Sequence, residues 1–178
     1  VNWRFVGEDV FLSRKFSTSL LVGHVSALIV FALTRWLAPA GRPVLNMASR
    51  ALHGKEPLGD IQQQVSKRIT PRYILTVVLT AIVIGLLFAR SLHYQFYAYL
   101  AWATPFLLWR SGIHPILQYG LWAAQEWAWN IYPSTDLSSQ VVVGALALTT
   151  AGVWWGTGNE EFPELKDKSA PKDRWYIK

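Results

Sequence analysis

A chain of 178 residues that is 52% hydrophobic and 16% charged, with a formal net charge of +6 and a mean hydropathy of +0.20, falls well short of the roughly 25% of charged residues in an ordinary soluble domain. Lys, Arg, Asp and Glu are absent from 16–34, 73–89, 91–109 and 137–159, four gaps of 17 to 23 residues that exclude a compact water-soluble fold. The absence of cysteine removes disulfide and thiolate chemistry, and four scattered histidines with no second ligand at helical spacing give no metal site.

Taken in chain order, residues 1–15 form a polar and aromatic segment carrying Arg4, Glu8, Asp9, Arg14 and Lys15. Arg4 is suited either to a phosphate or sugar contact or to local ion pairing. No basic n-region with a cleavage site follows, so the opening reads as the interior of a longer polytopic protein. A first membrane span is expected at 16–37, because a hydrocarbon core about 30 Å thick requires roughly 20 residues of helix. His24 within it reads as a packed, hydrogen-bonded interhelical residue.

Residues 38–72 form a basic loop. Arg35, Arg42, Arg50, Lys55, Lys67, Arg68 and Arg72 outweigh Glu56 and Asp60 around it, which places the loop on the cytosolic side and favours the positive-inside rule over nucleic-acid binding. Val44, Leu45, Ala48, Ala51 and Leu52, and then Leu58, Ile61, Val65 and Ile69, recur at helical spacing and read as two interfacial helices broken at His53-Gly54-Lys55-Glu56-Pro57.

Four more spans follow, at 73–89, 94–109, 113–132 and 137–159. The turns at 90–93 and 133–136 then lie on the side of residues 1–15, and Arg110 and the tail 160–178 lie on the side of the basic loop. The tail, with five acidic and five basic residues, reads as solvated. Trp36, Tyr73, Trp102, Trp109, Trp129, Tyr132, Trp154 and Trp155 sit near segment ends, as in an aromatic belt. Continuous apolar runs, rather than alternating ones, favour helices over a barrel. The fold class expected is all-α: a polytopic membrane protein of about five spans.

An ionisable group within hydrocarbon costs about 3 kcal/mol or more, so each one points to a cavity or a partner. Glu126 shares a face with Trp122 and Asn130 at i−4 and i+4, a face expected to look inward. Glu126 is either a catalytic acid or base or a structural acceptor. Arg90, His93 and Tyr94 stand at i, i+3 and i+4 on the side where positive charge is disfavoured. They suit either an anionic head group, which Arg meets with a planar fork of donors, or a snorkelling interfacial role. No phosphate loop, paired-carboxylate motif, nucleophile elbow or metal signature is present.

Arg90-Ser91-Leu92-His93-Tyr94-Gln95-Phe96 resembles the S-R-S-L-H-Y-Q-F segment of the dolichyl-phosphate-mannose-dependent alpha-1,3-mannosyltransferases of the endoplasmic reticulum, with Ala89 in place of the first Ser. Val1-Asn2-Trp3-Arg4-Phe5-Val6 resembles their V-N-W-R-F-V segment, and Glu126 with Trp129-Asn130 and Tyr132-Pro133-Ser134 their E-x-x-W-N-x-Y-P-S segment. The resemblance implies the C-terminal part of a GT-C glycosyltransferase of the endoplasmic-reticulum membrane. Such an enzyme transfers mannose with inversion, on the lumenal side, from dolichyl-phosphate-mannose to the five-mannose, dolichyl-pyrophosphate-linked oligosaccharide of the N-glycosylation pathway.

On this reading Arg90, His93, Tyr94 and Arg4 hold the donor phosphate, while Glu126, Asn130 and Gln95 are polar intramembrane or structural residues. No cofactor, metal or nucleic acid is expected; the partners are the two dolichyl-linked substrates and the lipid bilayer. The acidic catalytic residue is expected upstream of Val1, so the chain alone should be inactive, with Glu126 a weaker candidate for the base. A different class of function is a non-catalytic membrane subunit or ion-pathway module lined by Glu126 and His93.

Overall fold

The computed structural model describes residues 2–41, 49, 62–63, 65–160 and 162. Among these there is no strand, and six α-helices follow in order: α1 (Glu8–Leu12), α2 (Arg14–Phe31), α3 (Pro71–Phe88), α4 (Tyr97–Arg110), α5 (Pro115–Trp129) and α6 (Asp136–Gly156). A π-helical turn, Ala32–Trp36, extends α2, and 3-10 turns lie at Ala38–Ala40 and Tyr94–Phe96. Three stretches are long and apolar enough to cross a membrane: Arg14–Ala40, Pro71–Phe88 and Asp136–Gly156. The fold is therefore that of an all-helical membrane protein.

Local chemistry sets the helix ends. Ser13 Oγ accepts from Phe16 N at 3.1 Å to open α2, and Thr70 Oγ1 accepts from Tyr73 N at 3.1 Å to open α3 with Pro71 in its first turn. Thr135 and Ser138 form a reciprocal capping box at α6, with bonds of 2.9 and 3.1 Å. Gly112 takes φ +68° where α4 hands over to α5, a conformation that suits glycine.

The two helices expected at 94–109 and 113–132 are shorter than those windows. Tyr94–Phe96 is a 3-10 turn, so α4 has 14 residues; Pro115 opens α5 late and Asn130 closes it, leaving 15. Within the three membrane-length stretches several hydroxyls turn back on their own backbone. Thr18, Ser19, Thr34, Thr76 and Thr150 each donate to the carbonyl four residues earlier, so none presents a bare hydroxyl to lipid.

Helix α6 packs on α3, α4 and α5, whereas α2 packs mainly on α3 and on the short α1. Val83 and Ile84 of α3, Leu100 and Leu107 of α4, and Val142 and Leu146 of α6 are fully buried where these helices meet. In lipid the gain here is close van der Waals contact, since hydrocarbon outside is as apolar as leucine. Close approach therefore matters more than hydrophobicity. Leu21, Ile29, Trp102, Ile116, Tyr119 and Trp155 stand outward, all more than half exposed, where a bilayer would solvate them.

Gly156 shows what close approach requires. A Cβ there would collide with the backbone carbonyls of Arg110 and Ser111, and one at Gly152 would meet the Ser111 Cβ at 2.9 Å. Gly156→Ala is expected to destabilise the full-length protein in detergent by about 2 kcal/mol through overpacking. Thermal unfolding checks it; a midpoint equal to wild type would refute the packing argument.

Of the basic loop, residues 42–48, 50–61 and 64, and with them most of the two expected interfacial helices, lie outside the described residues. So does the tail 160–178, except for Glu160 and Phe162.

Candidate functional site

One end of the bundle collects the segments singled out in the sequence: residues 2–13, the connection 89–96 and the α5–α6 turn. Asn2 is the pin. Its Nδ2 donates to the carbonyls of Leu86 at 2.8 Å and Ala89 at 3.3 Å, fastening the first segment to the end of α3. Arg4 N donates to Ser139 Oγ at 3.0 Å, fastening the same segment to the first turns of α6.

Between these two anchors Trp3 is held at φ +57°, a left-handed conformation that a non-glycine residue keeps only when its surroundings impose it. Its indole sits 5.8 Å from Phe5 and 5.9 Å from Phe16, centroid to centroid, the second contact edge-on.

Arg90 lies just past Ala89, the residue that caps α3, and is exposed. Its Nη1 donates to Ser17 Oγ at 3.2 Å, and its guanidinium lies 5.5 Å over the Phe11 ring. Among the described residues it has no carboxylate partner. Of the other arginines, Arg110 and Arg72 share Glu160, Arg4 faces Asp136 Oδ1 at 3.7 Å, and Arg35 lies over the Trp154 ring while donating to the Trp154 carbonyl at 2.7 Å; Arg14, like Arg90, shows no carboxylate partner among the described residues.

His93 and Gln95 are also exposed. Residues 89–93 form a non-helical connection with a bend at Arg90, so Arg90, His93 and Tyr94 do not line one helical face. Tyr94 turns instead to the α5–α6 turn. Its hydroxyl donates to the Ile131 carbonyl at 2.9 Å, and its ring meets Trp129 edge-on at 6.1 Å and Tyr132 at 5.7 Å. It braces the two connections that frame this end.

Glu126 lies half-buried in the last turn of α5, beside Tyr97. The inward face of α5 is not the one expected: Trp122 is 40% exposed and Asn130 is exposed, with its Nδ2 returned to the Glu126 carbonyl at 2.8 Å. Gln125, Ala128 and Trp129 are buried instead. One residue along a helix is a rotation of about 100°, enough to exchange faces. Gln125, missed in the sequence, exchanges hydrogen bonds of 3.0 and 3.2 Å with Thr104 in the bundle interior. His24 stacks on Phe88 at 6.2 Å, and no hydrogen bond of its ring is found among the described residues.

A cleft of about 500 Å³ opens at this same end, lined by Asn2, Trp3, Arg4, Glu8, Ser91 and Asp136 among others. Of these, only Arg4 was expected as a site residue; the rest stood inside or beside the quoted motifs with no role given. No group of three His, Cys, Asp or Glu side chains among the described residues is placed to hold a metal ion.

The fold and this end together define an all-helical membrane protein with a polar, aromatic-walled site where its helices meet one membrane face. Residues 1–139 match the family model described as ALG3 protein, and the chain belongs to that family. It is 54% identical, over 97% of its length, to a Neurospora crassa protein named Dol-P-Man:Man(5)GlcNAc(2)-PP-Dol alpha-1,3-mannosyltransferase. Proteins of the same name from Arabidopsis thaliana and Homo sapiens are 35% and 34% identical over 100% and 95% of the chain. The chain spans 40%, 40% and 37% of the length of these three relatives, in their C-terminal part. No solved structure matches.

Proposed function

We propose that this chain is the C-terminal, donor-side part of an inverting alpha-1,3-mannosyltransferase of the endoplasmic-reticulum membrane. The enzyme would transfer mannose from dolichyl-phosphate-mannose to a five-mannose, dolichyl-pyrophosphate-linked acceptor. The observation that carries the proposal is the 54% identity over nearly the whole chain to a relative bearing that name. In the reaction, an acceptor hydroxyl attacks the anomeric carbon of the donor mannose. The bond from that carbon to the phosphate oxygen breaks, dolichyl phosphate leaves, and the hydroxyl proton passes to a base. Departure of the phosphate is eased by donors already aimed at its oxygens.

Arg90 and His93 supply those donors. Arg90 is exposed and has no carboxylate to neutralise it among the described residues, and His93 stands three residues along the same non-helical connection. Tyr94 holds that connection in place through Ile131. Arg4, already facing Asp136 at 3.7 Å, has its charge met and is not counted among the phosphate donors. This end faces the lumen, opposite the basic loop. The base belongs to a residue outside this chain, so the chain alone binds but does not turn over.

The test is transfer by the full-length protein in microsomes, with labelled dolichyl-phosphate-mannose and the five-mannose lipid-linked acceptor. The expected product is one mannose larger and loses the label to an alpha-1,3-specific mannosidase. An acceptor that stays at five mannoses, or a product resistant to that mannosidase, would overturn the proposal.

A further inference from the structure

We infer that the cleft between residues 2–11 and the α5–α6 turn is a saccharide subsite, binding the neutral, hydroxyl-rich glycan of the acceptor and not the phosphate of either substrate. This rests on the mannosyltransfer reading above and adds the place where the acceptor sugar is held.

The first support is charge. Of the ionisable side chains lining the cleft, Glu8 and Asp136 are acids and Arg4 is the one base, so its wall carries a net charge of −1 (one positive, two negative). Arg4 already faces Asp136 at 3.7 Å. A phosphate would meet two carboxylates here, whereas sugar hydroxyls donate to carboxylates and accept from guanidinium. Ser91 and Ser134 add two hydroxyls to the same wall.

The second support does not depend on the carboxylates. Asn2, which also lines the cleft, is only 3% exposed; its Nδ2 is spent on Leu86 and Ala89, and its Oδ1 has no donor. The Trp3 Nε1, in the same wall, is likewise buried without an acceptor. Buried polar atoms are nearly always hydrogen-bonded, so an acceptor and a donor left without partners on two residues of this wall leave capacity for hydroxyls of both senses. The backbone strain at Trp3 agrees, since left-handed non-glycine residues gather at ligand sites.

Size and position complete the argument. About 500 Å³ lies within the roughly 300–1,000 Å³ of small-ligand sites, larger than an ion or a water needs. Ser91 in the wall directly follows Arg90 in the chain. A sugar in the cleft would thus lie beside the connection that carries the phosphate-side groups, as the two reacting substrates require.

The experiment uses the full-length protein in detergent and the variants Glu8→Gln, Asp136→Asn and their combination. Both changes keep side-chain size and remove charge. Binding of the free five-mannose oligosaccharide, released from its lipid and pyrophosphate, is followed by saturation-transfer NMR alongside steady-state transfer. Saturable binding by wild type, lost in the double variant, is expected. In transfer, the double variant should raise the acceptor KM at least 10-fold while leaving the donor KM within 2-fold, which also shows that the variant is folded. No binding of the free glycan by wild type, unchanged binding by the double variant, or a donor KM that rises with the acceptor KM would each overturn the subsite. Glycan binding that depends on Glu8 and Asp136 in a protein with no mannose transfer would leave the subsite standing and overturn the mannosyltransferase reading alone.

Discussion

Replacing Arg90 by alanine in the full-length protein should lower mannose transfer at subsaturating donor by roughly 100-fold, the scale seen when one donor to a developing anion is removed from an active site. The effect is expected to be large because the side chain has little else to do. Its partners are a serine hydroxyl at 3.2 Å and the face of Phe11, and neither neutralises the guanidinium. Arg90→Lys should fall between, keeping the charge but losing the planar fork that meets two phosphate oxygens at once. Stability should hardly change, since exposed substitutions usually stay within about 0.5 kcal/mol. Kinetics against donor concentration, with thermal unfolding of the same preparations, checks both halves. Wild-type transfer by Arg90→Ala at low donor would remove Arg90 from the phosphate site.

How much of this was legible beforehand depends on the range of the interaction concerned. The charge-free gaps at 16–34, 73–89 and 137–159 lie within or overlap the three membrane-length stretches, because the presence or absence of charge over some 20 residues is a local property of the chain. The lengths of α4 and α5 were less visible. They depend on a 3-10 turn before Tyr97 and on a proline that starts α5 late, signals of one or two residues within otherwise apolar runs.

The inward face of α5 was misread because weight was placed on the acid. Glu126 stays half-buried beside Tyr97 near the helix end, and the neutral Gln125 goes inside, where Thr104 satisfies both ends of its amide. A neutral amide with a partner is cheaper to bury than a carboxylate. Asn2 lay in a quoted motif, yet its role needs Leu86 and Ala89, more than 80 residues away. Spacing within a motif carries no information on such contacts.

Glu160 is the second residue expected to matter greatly, and it was read as the start of a solvated tail. Its side chain is only 15% exposed and accepts from Arg110 Nη2 at 2.7 Å, with Arg72 a looser second partner at 4.0 Å. Arg110 is itself 10% exposed and donates its Nε to Thr76 Oγ1 at 3.0 Å. The pair thus joins the chain after α6 to the end of α4 and the start of α3. Glu160→Ala should destabilise the full-length protein by about 3 kcal/mol or more, because it leaves a buried guanidinium without a counter-charge. Glu160→Gln should cost less, since an amide oxygen still accepts. The double change Arg110→Leu with Glu160→Leu should recover most of the loss, as no buried charge then remains unpaired.

Denaturant titration in detergent measures the stability side, and a loss below about 0.5 kcal/mol for Glu160→Ala would show the pair to be no more than a surface contact. Donor and acceptor KM of the folded fraction should meanwhile stay at wild-type values, since Arg110 and Glu160 lie at the end of the bundle opposite Arg90. The two ends treat arginine in opposite ways. Arg110 is neutralised and buried, as an interhelical clasp in a membrane requires, while Arg90 is left exposed without an acid among the described residues, as an anion site requires. A loss of transfer without a loss of stability at Arg90, and a loss of stability without a change of KM at Glu160, is the pattern that follows.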